Sequence, residues 1–100
     1  MLLKKKKSTT NSLNWTFLSN HAHILLCLYR DPSMRMRDIA ELVGITERAV
    51  IRIIEDLDLA GIITKEKSGR RNQYKIKDTV PLRHKLESHK TIGELLKLLK

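Results

Sequence analysis

The sequence predicts a mainly α-helical fold with one small β-hairpin: a three-helix core, the hairpin, and a further C-terminal helix. Three observations lead to it. Apolar residues recur at helical spacing as far as Gly61, the period then becomes alternating around a polar turn, and two helical stretches meet across only Gly44-Ile45-Thr46. At 100 residues and 41% apolar content the chain fits one small domain and excludes a second independent core.

Each element has a local cause. Residues 1–13 hold Lys, Ser, Thr and Asn with little to bury and are expected to form a disordered basic tail. The main domain is assigned to 14–78 and a C-terminal extension to 79–100. Ser19 suits a helix N-cap, and Leu18, Ala22, Leu25, Leu26 and Tyr29 follow at helical spacing until Asp31 and Pro32 end the first helix. Met34-Arg35-Met36 alternates apolar with basic and is expected as a short edge strand. Ile39, Ala40, Leu42 and Val43 then form the face of a short second helix, with Arg37 standing where a capping Ser or Thr would serve better. Gly44 can take the left-handed conformation that closes this helix, with Ile45 folding back on it, and Thr46 caps the next helix. Val50, Ile53, Ile54 and Leu57 give that third helix, 46–60, its core stripe and leave Glu47, Arg48, Ile51, Arg52 and Glu55 outward. Ile63 and Lys65, then Tyr74 and Ile76, flank Ser68-Gly69-Arg70-Arg71-Asn72, which has the chemistry of a hairpin turn. Asp78 to Lys90 shows no clean period. Thr91 and Glu94 match a capping box ahead of Leu95, Leu96, Leu98 and Leu99, a helix too short to hold in water unless it docks.

Twenty Lys and Arg against eleven Asp and Glu leave a charge of +9, which points to a polyanionic partner. The excess is unevenly placed. Residues 38–62 carry six acids and two bases, residues 63–77 carry six bases and one acid, and Lys4 to Lys7 charge the tail. Such separation favours an oriented field over a surface made only for solubility, and clustered base is the electrostatic footprint of nucleic-acid binders. A single cysteine, no membrane-length apolar run, and an apolar start (Met1 to Leu3) too short for a secretory signal lead to the expectation of a cytoplasmic chain that keeps its tail.

Two helices on a three-residue turn, followed by a basic hairpin, describe a winged helix-turn-helix. The run Arg37-Asp38-Ile39-Ala40-Glu41-Leu42-Val43-Gly44-Ile45-Thr46-Glu47-Arg48-Ala49-Val50, with Leu-Asp-Leu-Ala-Gly-Ile at 57–62, resembles the helix-turn-helix of MarR and ArsR type regulators. That likeness covers residues 34–77. The stretch 15–99 also resembles small prokaryotic winged-helix proteins in Trp15-x-Phe17-Leu18-x-Asn20-His21, Gly69-Arg70-Arg71-Asn72 and Pro81-Leu82-Arg83-His84.

The resemblance implies a transcriptional regulator, a repressor rather than an activator, that prefers certain double-stranded DNA sequences. It implies that the third helix enters the major groove, so that Thr46, Glu47, Arg48, Ala49 and Arg52 can reach bases or phosphates, with Arg suited to guanine. The bland reading of Arg48 and Arg52 is a solvated face shared with Glu55. Arg37 reads equally as a phosphate contact or an unconstrained surface position. In the wing, Lys67, Arg70 and Arg71 would follow phosphates or a narrow minor groove, with Asn72 and Gln73 hydrogen-bonding beside them. Asn72 has the alternative of serving the turn, and Tyr74 is expected to pack on the third helix.

Regulators of this type bind as dimers to half-sites about 34 Å apart. The apolar residues available for a homodimer are Trp15, Phe17, Ile24 and Leu28 at one end and Ile92, Leu95, Leu96 and Leu99 at the other; the alternative is that these complete the protomer's own core. No nucleophile with its base, metal cluster or cofactor loop is present, so neither an enzyme nor a cofactor is expected, and no effector can be read. Cys27 reads as a structural thiol rather than a redox sensor. His84, Glu87 and His89 are a weak metal candidate without the thiolate pairs ArsR type sensors use, and no metal site is assigned. The rival function is an architectural, nonspecific nucleic-acid-binding or protein-docking winged helix without operator specificity. A docking helix would show an apolar outer stripe, whereas here Ile51 alone interrupts the polar side.

Overall fold

The computed structural model describes residues 14–100, so the tail expected at 1–13 lies outside the described residues. The elements run α1 (Asn20–Arg30), α2 (Met36–Val43), α3 (Glu47–Leu59), β1 (Ile63–Ser68), β2 (Arg71–Ile76) and α4 (Ile92–Leu99). The fold is a winged helix-turn-helix, mainly helical, with one two-stranded antiparallel hairpin. Among the described residues no helix is long and apolar enough to cross a membrane.

Helix α1 is the centre of the packing. It touches α2, α3, α4 and β2, so it is covered from several sides. That position explains why Ile24 and Leu28, expected at a dimer interface, are fully buried together with Leu25, while Leu26 and Tyr29 from the expected face are only partly covered. The core joins them to Ile39, Val50, Ile53, Ile54, Leu57 and Ile63. The α3 stripe is buried as its spacing requires. Leu42 departs from expectation: it points outward on α2, where Met36 and Val43 pack instead.

The α2–α3 junction follows from its sequence. Gly44 sits at φ 87°, its N–H and that of Ile45 both donate to the Ala40 carbonyl, and the Thr46 hydroxyl accepts the Ala49 N–H at 3.1 Å. The same ending recurs after α3, where Gly61 takes φ 75° and the Ile62 N–H reaches the Leu57 carbonyl at 2.9 Å.

The edge strand expected at Met34-Arg35-Met36 does not form. Met36 opens α2, and Arg35 is its extended N-cap, with no side-chain capping bond. Both methionines pack on the core, and Asp38 in the first helical turn holds Arg35 Nε at 3.0 Å, so the three-residue alternation was the start of a helix. The stretch before it still reaches the hairpin through one bond, from the Tyr74 N–H to the Pro32 carbonyl at 2.9 Å.

Beyond β2 the chain makes a closed excursion. Pro81 and Thr91 form an antiparallel bridge, the Leu82 N–H donates to the Lys90 carbonyl and the Ile92 N–H to the Val80 carbonyl, each at 2.9 Å. Helix α4 begins with the expected capping box and docks on α1, with Arg30 Nη2 donating to the Leu99 carbonyl at 3.2 Å. Ile92 and Leu96 are buried in the same core as α1. Four of the eight residues assigned to dimerisation, Ile24, Leu28, Ile92 and Leu96, therefore have no free surface to offer a second protomer. Trp15 and Phe17 remain exposed, at 64% and 93%, and Leu95 and Leu99 are half-covered.

Candidate nucleic-acid interface

The outward side of α3 carries the residues that the sequence assigns to base contact. Thr46 begins the helix, and Glu47, Arg48 and Arg52 are exposed while Ala49 is half-buried against the turn. Arg48 and Arg52 stand one turn apart on the same face, with Ile51 half-exposed beside them. Arg37 is in the first turn of α2 rather than at its cap, and it too is exposed.

The hairpin register sorts the wing residues into two groups. Ile63 pairs with Ile76, Lys65 with Tyr74, Lys67 with Asn72 and Ser68 with Arg71, leaving Gly69-Arg70 as a two-residue loop with Gly69 at φ 66°. Because side chains alternate, Lys65, Lys67, Asn72 and Tyr74 share the face that continues into the core, while Arg71 and Gln73 stand on the other face. Arg71 and Asn72 are thus strand residues, which removes the turn reading of Asn72. Its side chain is exposed on the ribbon face it shares with Tyr74. Tyr74 itself is buried and unavailable for stacking on a base. Burial pushes its phenol pKa up, the nearby Asn72 amide lowers it in part, and Asp58 of α3 adds a further upward push.

Arg71 has a protein partner that its sequence position did not suggest: Nη1 donates to the Ser33 carbonyl at 3.2 Å. Among the described residues the close acid–base pairs are His21–Asp56, Arg35–Asp38 and Lys90–Glu94, so none of them neutralises a wing base. The His21–Asp56 contact, at 3.0 Å, ties the start of α1 to the last half of α3 across 35 positions that no local pattern connects.

Other sequence candidates come to less. Among the described residues no three His, Cys, Asp or Glu side chains stand together as a metal would require, and His84 Nδ1 accepts the Leu86 N–H at 3.0 Å. Cys27 is partly buried, and desolvation pushes its thiol pKa up despite the opposing charge of Arg30, which disfavours the reactive thiolate.

Helix-turn-helix geometry with a basic hairpin beside it is the arrangement that places one helix in the major groove and the hairpin along the backbone. Residues 19–64 match the family model of the winged helix-turn-helix DNA-binding domain. The match spans α1 to α3 and stops at the first residues of β1, so the wing tip and α4 fall outside it. It supports double-stranded DNA as the partner and transcription regulation as the setting. No curated protein matches the chain.

Proposed function

We propose that the protein is a sequence-preferring regulator of transcription, acting as a repressor of the kind its resemblance to MarR and ArsR proteins implies. The observation that carries this reading is the polar, exposed face of α3, with Arg48 and Arg52 one turn apart beside a hairpin rich in uncompensated base. Arg48 and Arg52 read base edges together with Thr46, Glu47 and Ala49, and Ile51 is placed to meet a thymine methyl. Arg37, Lys67, Arg70 and Asn72 hold the phosphates or enter the minor groove, and this backbone attraction supplies most of the affinity.

A single protomer makes few contacts, so the working unit is a homodimer on two half-sites. Its interface uses the apolar residues that the core leaves free: Trp15 and Phe17, which stack edge to face at 5.2 Å, with Leu95 and Leu99. Leu59 and Leu98, both exposed, extend the same requirement for cover. Leu59 also lines a groove of about 1040 Å³, walled by Phe17, Leu25, Leu57, Ile62, Leu95 and Leu96.

Selection of bound sequences from a random duplex pool tests both parts. An enriched palindrome is expected. Loss of base preference in Arg48→Ala should contrast with Arg70→Ala, which weakens all sequences and flattens the salt slope by about one unit. No enrichment, with equal losses on selected and random DNA for both variants, would replace this reading with the architectural one. Sedimentation at the protomer mass at micromolar concentration would remove the homodimer.

A further inference from the structure

We infer that the Asp31-Pro32-Ser33 turn is a seat for the wing, and that Arg71 is a positioning residue which holds the hairpin on that seat rather than a contact to DNA. The inference rests on the wing's role in DNA binding proposed above. Two bonds join the hairpin to this turn, from Arg71 Nη1 to the Ser33 carbonyl at 3.2 Å and from the Tyr74 N–H to the Pro32 carbonyl at 2.9 Å. They lie three residues apart on β2, so together they fix the strand's direction as well as its distance from α1.

The turn is itself shaped to offer those carbonyls. The Asp31 carboxylate accepts both the N–H and the hydroxyl of Ser33, each at 3.2 Å, the Met34 N–H closes back on the Asp31 carbonyl, and the Asp31 N–H finishes α1 on the Cys27 carbonyl. Pro32 adds a rigid φ between them. An acid placed here is otherwise hard to reconcile with an adjoining phosphate-binding surface, since it repels the ligand. Its service to the turn accounts for it.

The register argues in the same direction. Arg71 stands on the opposite face of the ribbon from Lys67 and Asn72, so one flat phosphate surface cannot meet all three. Arg70, in the loop, is free to follow whichever direction the seat imposes. Arg71 thus acts through Arg70 and Lys67.

The test uses the full chain with Arg71→Met, Asp31→Ala, Arg70→Ala and the Arg70→Ala/Arg71→Met double variant. Without DNA, amide hydrogen exchange at Tyr74 should quicken in Arg71→Met and Asp31→Ala but not in Arg70→Ala. With a duplex selected on the unaltered protein, Arg71→Met should weaken binding about fivefold, in line with loss of one hydrogen bond to an ordered element. Its effect should shrink once Arg70 is already Ala, leaving only the part carried by Lys67. Asp31→Ala is the sharpest arm. Removing a negative charge beside DNA should tighten binding by electrostatics alone, whereas loss of the seat weakens it. Tighter binding by Asp31→Ala, or additive losses for Arg70 and Arg71 with unchanged Tyr74 exchange, would overturn the inference. Should Arg70→Ala leave DNA binding intact, the wing's proposed role fails by itself, and the exchange measurement alone then decides whether the seat exists.

Discussion

The α2–α3 junction and the start of α4 are both made from a glycine and a capping threonine, yet they hold their helices by different means. At the junction, Gly44 has open space around it and is required for its dihedral, φ 87°. At α4, Gly93 has an ordinary helical backbone and is required for its size: a Cβ there would lie 2.7 Å from Asp78 Cβ and 2.9 Å from the Asp78 carbonyl oxygen. The first joint is closed locally, by the Gly44 dihedral with the bonds to the Ala40 carbonyl and the Thr46 hydroxyl. The second is closed by pressing a helix against a neighbouring segment, with the Gly93 N–H on the Asp78 carbonyl at 2.9 Å. A joint of the first kind can be moved between proteins, whereas the second works only where its partner segment is in place.

The largest effect that separates the two regions is in the docking of α4. Leu96, almost wholly buried, should lose about 3 kcal/mol of unfolding free energy on replacement by Ala, measured by denaturant titration. Phe17→Ala, at an exposed site in the same quarter of the molecule, should change protomer stability by less than about 0.5 kcal/mol. Equal losses would mean that α4 is held from outside the protomer.

The glycines come next. Gly93→Ala should destabilise by about 1–3 kcal/mol through overpacking against Asp78. Gly44→Ala should lose about 1 kcal/mol by forcing a Cβ into the left-handed region. Asparagine distinguishes the causes. At position 44 it should recover most of the loss, because Asn tolerates that region, and at 93 it should recover none, because the shortage there is of space. Recovery at both positions, read from melting curves, would erase the contrast.

The same contrast governs what could be read from the sequence. Gly44, Thr46, the Val50-Ile53-Ile54-Leu57 stripe and the Thr91–Glu94 box depend on neighbours a few positions away, and each stands where its spacing puts it. Which helix lies at the centre depends on the whole assembly: Ile24 and Leu28 are buried on a helix that α2, α3, α4 and β2 all contact, and nothing near them in sequence separates that role from an interface. The exposure of Arg48, Arg52 and Arg70 was legible for the same local reason. The bond between Arg71 and Ser33 was not, since 38 positions separate them and neither residue type announces the other.

The smallest expected effect concerns the two threonine caps. Thr46 caps α3 with only its hydroxyl, and the third helical residue there is Ala49. Thr91 also receives a carboxylate: its N–H donates to Glu94 Oε1 at 2.8 Å, and this bond, helped by the nearby charge of Lys90, holds the Glu94 pKa below its ordinary value. A carboxyl group with a folded-state pKa below its unfolded one stabilises the folded state at neutral pH, and that contribution is lost as pH falls through the folded value. Acidification into the carboxylate range should therefore lower the amide protection factors, taken against the unstructured amide at the same pH, in the first turn of α4 before it does so in α3. Glu94→Gln should start from a slightly looser α4 and show no such step. Identical acid responses at both helix starts would mean that the carboxylate adds nothing to the hydroxyl cap, and that α4 is held at its first turn by the fit of Gly93 on Asp78 alone.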